Sequence, residues 1–108
     1  MKQDEFLDWS LRAAEWGAEY RASLRERPVR PSVVPGSIMA SIEASPPEQA
    51  EPMDRIFADF EEKIVPGITH WQHPRFFAYF PANAAPVSVV AEYLVSAMAA
   101  QCMLWQAS

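Results

Sequence analysis

The sequence predicts an all-α chain whose helices are joined by an extended, proline-rich strap. Apolar residues recur at helical spacing in two stretches before residue 67, and a third, almost wholly apolar stretch follows residue 85. Ten prolines against three glycines in 108 residues favour stiff connectors over tight glycine turns. Three of those prolines fall within residues 28–36, the strap, where they exclude both a helix and a central strand.

The first helix is predicted over residues 3–26. One of its faces carries apolar residues at i, i+3 and i+4 spacing, which we call the first-helix stripe. Its members are Phe6, Trp9, Ala13, Trp16, Tyr20 and Leu24. Burying a large aromatic side chain contributes about 2–3 kcal/mol, so we expect the stripe to pack on a partner surface. The helix should end before Pro28, because a residue that precedes proline avoids the α conformation.

A second helix is predicted after a short helical turn over Ser37–Ile42. Ser45 provides an N-cap, Pro46 occupies the first helical position and Glu48 follows the cap by three residues, which is the pattern of a helix start. The helix should end at Pro66-Gly67. Its apolar face consists of Met53, Ile56, Phe57, Phe60 and Ile64.

The last third of the chain is predicted to be a loop over residues 68–85 and then a helix. This helix is expected from Pro86 to about Trp105 and is apolar nearly all round. A membrane span is disfavoured, because Glu92 lies within the stretch and no basic residues flank it. A helix buried inside a larger assembly fits the pattern better.

Charge and cysteine content restrict the classes of function. A net charge of −5 argues against a general nucleic-acid binder, which needs clustered Lys and Arg. The single Cys102 excludes an intrachain disulfide and favours a reducing compartment. Asp4, Glu5 and Asp8 lie where a signal peptide would need an apolar core. We therefore expect a cytoplasmic protein that binds neither nucleic acid nor membrane.

Two histidines and one cysteine are the candidates for metal or nucleophile chemistry. His70 and His73 lie three residues apart in a loop beside Pro74, whereas helical zinc pairs are spaced i, i+4 and need a third ligand. Hydrogen bonding to the backbone or stacking on a flat ligand is therefore the favoured interpretation, and no metal site is predicted. Cys102 has no adjacent base to activate it and is predicted to be a buried, inert thiol.

The predicted loop contains a dense aromatic run. Its five rings within ten residues are Trp71, Phe76, Phe77, Tyr79 and Phe80. They are compatible with a small core, although five rings in irregular backbone are difficult to pack without a partner. Aromatic walls with a few polar tips are also what an apolar ligand pocket requires. The residues alone leave both interpretations open.

A family resemblance goes further than the chemistry of single residues. The segment VPGITHWQHPRFFAYFPANA, residues 65–84, resembles the N-terminal region of the group II pyridoxal-phosphate-dependent decarboxylases. The part HPRFF is shared widely through group II, whereas AYFP resembles the aromatic-L-amino-acid decarboxylase branch. The strings RPVRP from Arg27, ASPPE from Ala44 and QCMLWQAS from Gln101 occur in the same order in that family. The resemblance therefore covers nearly the whole chain.

The resemblance implies a homodimeric, fold-type I α/β enzyme that uses pyridoxal 5'-phosphate and has this chain as its N-terminal appendage. Residues 1–67 would form a helical dimerisation segment with the strap, residues 68–85 an aromatic substrate-pocket loop, and residues 86–108 a buried interface helix. By matching position, the substrate-binding residues are Trp71, Tyr79, Phe80, Pro81, Ala82, Gln101 and Met103. Gln101 and Met103 match positions that reach into the neighbouring subunit's site. Ala82 departs from the pattern, since many members carry a threonine or serine hydroxyl there.

No catalytic residue is expected in this chain, because the family's Schiff-base lysine and its other cofactor ligands lie downstream of the matching segment. Lys2 at the terminus and Lys63 on a predicted helix face are not expected to bind the cofactor. The implied reaction is loss of CO2 from an aromatic L-amino acid in the intact enzyme; the chain alone ends before the cofactor domain and should be inactive. Two alternatives stay open: a non-catalytic helical interaction module, and a relative that forms an aldehyde by oxidative deamination or uses a different amino acid.

Overall fold

Regular structure in this chain is helical. The computed structural model describes residues 1–80 and 84–107, and none of these residues lies in a strand. The all-α expectation is therefore confirmed for the described ranges. The chain divides into two compact units, Met1–Phe77 and Ala78–Ser108.

Helix α1 spans Gln3–Ser23 and continues into a 3₁₀ turn over Leu24–Glu26, as predicted. Its charges suit the helix dipole, with Asp4 and Glu5 in the first turn and Arg21 in the last. The backbone N–H of Lys2 donates to Glu5 Oε2 at 2.8 Å, which satisfies a donor at the helix start. The following residues leave the helical conformation before Pro28.

The strap contains no helix or strand up to Val34, in agreement with its prolines. It ends in a turn in which the N–H of Ser37 donates to the carbonyl of Val34 at 3.0 Å. Gly36 has a φ of 87°, which places Pro35-Gly36 at the centre of a type II turn and explains the glycine. Helix α2, Ser37–Ser41, follows directly and confirms the predicted helical turn.

Helix α3 begins later than predicted. It spans Met53–Asp59 and has Pro52 as its N-cap residue, so the predicted start at Ser45 and Pro46 is wrong. In a helix begun at Pro46, Pro52 would have no N–H to donate to the carbonyl of Glu48, and its ring would clash with that carbonyl. The proline therefore prevents the earlier start, although the local cap pattern is favourable.

Beyond Asp59, α3 widens into a π-helical turn, Phe60–Ile64, and tightens into a 3₁₀ turn, Val65–Gly67. The predicted end at Pro66-Gly67 is confirmed. A Cβ on Gly67 would lie 2.7 Å from the side chain of Ile38, so a larger residue at this position would force that side chain of α2 to move.

The first-helix stripe finds its partner within the same chain. Trp9 packs on Phe57 with ring centroids 5.5 Å apart, and Trp16 meets Phe60 edge to face at 4.9 Å. These four rings, which we call the aromatic ladder, join α1 to α3 and its π-helical turn. Phe6 lies outside the ladder and stays 44% exposed, and Ala13 of the same stripe is exposed as well.

The ladder continues into a small polar core at the C-terminal end of α1. Tyr20 stacks on Trp16 at 5.2 Å and contacts the ring of His70 at 5.5 Å. Four side chains are buried in the described residues, two of them apolar and two of them histidines. They are Leu24, Val65, His70 and His73.

Helix α4, in the second unit, spans Pro86–Met98, which is shorter than predicted. The chain leaves the helix at Ala99, whose φ of 49° is left-handed. Alanine is the best helix former, so no local preference marks this end, and the predicted continuation to Trp105 is wrong. Every residue of α4 is exposed in this chain. Across residues 1–80 and 84–107, no helix combines the length and apolarity that crossing a bilayer requires.

The aromatic ladder should carry much of the stability of the first unit. We expect Trp16→Ala to lower the free energy of unfolding by about 2–4 kcal/mol, because it removes a ring that contacts both Tyr20 and Phe60. Urea unfolding followed by circular dichroism measures this change. Leu11→Ala, on the exposed side of the same helix, is the matched control and should cost less than about 0.5 kcal/mol. Equal losses in the two variants would contradict the packing.

The Tyr20–His70 contact predicts a pH window for stability. Burial, assisted by the charges of Arg27 and His73, lowers the pKa of His70 from its ordinary 6.5, while burial raises the pKa of Tyr20 from 10.0 against the opposing charge of Arg27. The unfolded chain therefore binds more protons just below pH 6.5, and the folded chain binds more just above pH 10. The free energy of unfolding should fall on both sides of this window.

Urea unfolding midpoints measured at a series of pH values test this predicted pH dependence of stability. The difference in unfolding free energy between wild type and His70→Gln should shrink as the pH falls through the region below 6.5, because glutamine does not titrate. A difference that stays constant there would show that His70 titrates alike in the folded and unfolded chains.

Candidate functional site

The candidate site is the irregular segment that follows Gly67. Its backbone turns tightly: the N–H of His73 donates to the carbonyl of His70 at 2.9 Å, and the N–H of Phe76 donates to the carbonyl of His73 at 2.9 Å. The N–H of His70 donates to the carbonyl of Val29 at 3.0 Å, which ties the segment to the strap. Residues 68–76, the part of the predicted loop that lies in the first unit, therefore form a series of turns tied to the strap.

His70 forms the buried base of this segment, with only 4% of its surface exposed. Its Nδ1 lies 2.8 Å from the hydroxyl of Tyr20 on α1. The phenol is a more acidic donor than a neutral imidazole N–H, so we assign Tyr20 as the donor and Nδ1 as the acceptor. Burial is the main cause of the lowered pKa of His70, and the positive charges of Arg27 and His73 add to it. His70 is therefore neutral at pH 7, as an acceptor must be.

Arg27 supplies the positive charge beside this pair. Its guanidinium lies 5.0 Å from the centre of the Tyr20 ring, and its Nε donates to Ser23 Oγ at 3.0 Å. Burial raises the pKa of Tyr20, while Arg27 opposes that rise. The hydroxyl thus keeps its proton at neutral pH and stays able to donate to His70.

His73 is buried as well and makes a different hydrogen bond. Its Nδ1 accepts the backbone N–H of Arg75 at 3.0 Å, in agreement with the predicted bonding of loop histidines to backbone. Its Nε2 is buried and has no hydrogen-bond partner among the described residues. Within residues 1–80 and 84–107, no three His, Cys, Asp or Glu side chains are grouped so as to hold a metal ion.

Trp71 directly follows the buried His70 and precedes the buried His73 by two residues. Its indole packs on Phe76 with ring centroids 4.9 Å apart and planes inclined by 34°. The residue as a whole is 42% exposed. Trp71 is thus held by its backbone turn and by one neighbouring ring while much of its surface stays accessible.

Tyr79 and Phe80 present their rings to solvent in the second unit. They are 86% and 89% exposed. Tyr79 has a φ of 57°, a left-handed conformation that costs a non-glycine residue about 1–3 kcal/mol and that clusters at functional sites. Pro81 and Ala82, the next two predicted pocket residues, lie outside the described residues.

The remaining predicted pocket residues follow α4. Gln101 and Met103 are both exposed, and so is Cys102 between them. The prediction of a buried thiol is therefore wrong for this chain, because α4 ends before Cys102 and leaves it on irregular backbone. Trp71 belongs to the first compact unit, whereas Tyr79, Phe80, Gln101 and Met103 belong to the second, so each group is defined within its own unit.

Surface depressions of about 510, 550 and 730 Å³ occur in the first unit. They lie along the start of α1 and α3, along the segment that precedes α3, and beside α2. None of the five predicted pocket residues that the structure describes lines these three depressions.

The roles of Tyr20 and Arg27 are not evident from the sequence. Tyr20 is predicted as one member of an apolar stripe, and its hydrogen bond to His70 joins residues 50 positions apart. In the sequence, Arg27 is notable only as the first residue of RPVRP, a segment that resembles the family. The one available signal was the position of Tyr20 near the end of the stripe, where a polar tip can reach the following segment.

Comparison with known proteins identifies the family. The family model described as "Pyridoxal-dependent decarboxylase conserved domain" matches residues 35–108. Over all of this chain, the aromatic-L-amino-acid decarboxylase of Manduca sexta is 41% identical and the histidine decarboxylase of Rattus norvegicus 35% identical. The chain covers 21% and 17% of their respective lengths, so it spans about a fifth of the curated relatives that it matches.

Solved structures agree with the sequence comparison. A crystal structure of Oryza sativa TDC with PLP and tryptamine superimposes on the whole chain with a TM-score of 0.92 at 32% identity. The crystal structure of Rhodiola rosea 4-hydroxyphenylacetaldehyde synthase gives a TM-score of 0.91 at 36% identity. In both cases the chain covers 23% of the solved structure. The family resemblance of the sequence is thereby confirmed: the chain belongs to the group II pyridoxal-phosphate-dependent decarboxylases and corresponds to the N-terminal segment of its members.

Proposed function

We propose that this chain is the N-terminal part of a pyridoxal-phosphate-dependent decarboxylase that acts on an aromatic L-amino acid. Its own role is to supply aromatic residues to the substrate pocket and apolar surface to the interface with a second subunit. The observation that carries the proposal is the exposure of three predicted pocket rings, of which Tyr79 has strained backbone, in a chain of this family.

The chemistry divides between the cofactor and the protein. Pyridoxal phosphate, when bound, supplies the electron sink that allows the α-carboxylate to leave as CO2. The residues of this chain bind the side chain of the substrate and so orient the bond that breaks. Binding energy from a remote part of the substrate raises the rate when it fixes that orientation.

Aromatic rings are suited to this binding role. Trp71 offers a flat, partly exposed face on a buried base, and Tyr79 and Phe80 offer nearly complete rings. Stacked or edge-to-face ring pairs contribute about 0.5–1.5 kcal/mol beyond the burial of their area. Gln101 and Met103, which are exposed after α4, are proposed to reach the site of the neighbouring subunit. Pro81 and Ala82 are proposed to complete the same pocket.

The interface role is supported by α4. Its 13 residues, PVSVVAEYLVSAM, include a single charged side chain, and all of them are exposed within this chain. Apolar surface of this extent on one helix is typical of a face that is covered in an assembly. We propose that the rest of the enzyme and a second subunit cover α4. The single Cys102 supports a reducing, cytoplasmic setting for that assembly.

The lysines of this chain support a cofactor site elsewhere in the enzyme. The ammonium of Lys63 lies 2.7 Å from Asp59 Oδ1, one helical turn earlier, so it forms an ion pair on the helix surface. Lys2 precedes the first turn of α1 and is exposed. Neither lysine fits the role of Schiff-base partner, and we propose that the cofactor is bound by the part of the enzyme that this chain does not cover.

One alternative reaction, the formation of an aldehyde, is supported by the similarity of this chain to an aldehyde synthase. The Rhodiola rosea enzyme, named as an aldehyde synthase, matches the fold as well as the Oryza sativa structure does. Incubating the complete enzyme with L-tyrosine, L-tryptophan, L-dopa and L-histidine and separating amine from aldehyde products distinguishes the two reactions. Amine and CO2 in equal amounts from an aromatic substrate support decarboxylation; aldehyde supports the alternative, and no product from any substrate supports the interaction module.

Removing either predicted pocket ring should damage substrate use without loss of cofactor. In the complete enzyme, Trp71→Ala or Tyr79→Ala should lower kcat/KM for the preferred aromatic substrate at least about tenfold, because a ring contact to the substrate is lost. Cofactor absorbance should match wild type. Tyr79→Phe keeps the ring and should stay within about threefold of wild type. An unchanged kcat/KM in both alanine variants would contradict the pocket assignment.

Reduction of the holoenzyme with borohydride locates the cofactor lysine. We expect the labelled peptide to come from outside residues 1–108, since Lys63 is paired with Asp59 and Lys2 is exposed at the helix start. Lys2→Arg and Lys63→Arg enzymes should bind the cofactor as wild type does. A pyridoxyl label on either lysine would overturn this part of the proposal.

A further inference from the structure

We propose that Tyr20 and His70 are positioning residues: their hydrogen bond holds Trp71 in the orientation that binds substrate, and it does so only while His70 is neutral. The inference rests on the proposed function of Trp71. It concerns two residues that make no predicted contact with substrate and that lie 50 positions apart in the chain.

His70 is attached to the fold on three sides. Its ring accepts the Tyr20 hydroxyl at 2.8 Å, its N–H donates to Val29 in the strap at 3.0 Å, and its carbonyl accepts the N–H of His73 at 2.9 Å. Because Trp71 is the next residue, these attachments determine where its backbone lies. The hydroxyl of Tyr20 is the only one of the three partners that reaches the imidazole itself from α1.

The ring of Trp71 is supported from the other side of the same turn. Phe76 packs on it at 4.9 Å, and the N–H of Phe76 donates to the carbonyl of His73. Moving His70 would therefore move both the backbone of Trp71 and, through His73, the ring on which the indole rests. A displacement of about 1 Å at a binding group is enough to lower kcat/KM substantially.

The hydrogen bond between Tyr20 and His70 depends on the charge of His70. Protonation of His70 would convert Nδ1 from an acceptor into a donor and would remove the bond as it stands. The titratable and charged groups that face His70 are Tyr20 on α1, Arg27 after α1 and His73 on its own segment. Arg27 places a positive charge beside His70, so a protonated His70 is destabilised where it lies and the segment would have to loosen to accommodate it.

The role of the pair is separable from the packing of α1. Trp16 and Phe60 join α1 to the π-helical turn without the hydroxyl of Tyr20, and the Tyr20 ring stacks on Trp16. Tyr20→Phe keeps this stacking and removes only the donor. The variant therefore tests the hydrogen bond while the aromatic ladder is left intact.

The kinetic test compares wild type with Tyr20→Phe in the complete enzyme as a function of pH. At pH 7.5 we expect KM for the aromatic substrate to rise about three- to tenfold in the variant, with kcat changed less than twofold. As the pH falls and His70 becomes protonated, wild type loses the same bond, so the ratio of the two kcat/KM values should approach one. A role in folding alone would give a ratio that does not depend on pH.

The spectroscopic test follows His70 directly. With ¹³C-labelled histidine, the pKa of His70 measured by NMR should rise towards 6.5 in Tyr20→Phe, because the neutral ring loses its donor. Tyr93→Phe removes the same atom from α4 and should leave the titration of His70 unchanged. As a second variant, His70→Gln keeps an acceptor oxygen but does not titrate, so this part of the pH dependence of KM should disappear.

The outcomes separate the two proposals. If Trp71→Ala leaves kcat/KM unchanged, the proposed pocket is wrong, whatever Tyr20→Phe does. If Trp71→Ala is defective while the ratio for Tyr20→Phe is constant with pH, or the titration of His70 is the same in Tyr20→Phe and wild type, the positioning pair is overturned and the pocket stands.

Discussion

The edge-to-face contact of Trp16 with Phe60 is the interaction on which the first unit depends. It attaches α1 to the π-helical turn after α3 at a centroid distance of 4.9 Å, and Tyr20 stacks against the same indole. Without it, the aromatic ladder would keep only its Trp9–Phe57 pair, and Trp16, on which Tyr20 stacks, would lose its support on the π-helical turn. Only four of the described residues are buried, so ring contacts carry the organisation that a larger core supplies elsewhere.

The candidate site combines a buried polar base with exposed rings. His70 and His73 are buried, with 4% and 3% exposure, whereas Trp71 is 42% exposed. This arrangement reduces the cost of binding, because a ring whose backbone is already held loses little freedom when a ligand packs on it. The Nε2 of His73 is also buried, and it has no hydrogen-bond partner among the described residues.

Much of the helical framework is predictable from local pattern, and the errors have identifiable causes. The period of α1, the prolines of the strap and the stop at Gly67 are properties of neighbouring residues, and all agree with the structure. The predicted start of α3 is wrong because Pro52 excludes a helix that begins at Ser45, although the cap pattern there is favourable. The end of α4 and the Tyr20–His70 bond depend on tertiary structure, which spacing along the chain does not encode. The family resemblance located the candidate site, and the residues alone left it undecided.

At position 79, the stability of the fold and the binding of an aromatic substrate favour different residues. Glycine adopts a φ of 57° without strain, so a chain selected for stability alone would gain about 1–3 kcal/mol by giving up the aromatic ring there. The ring in turn gains nothing from burial in this unit, since 86% of it faces solvent. Tyr79 is thus a site of trade-off, where a directed-evolution screen for thermal stability and one for substrate turnover would select opposite residues.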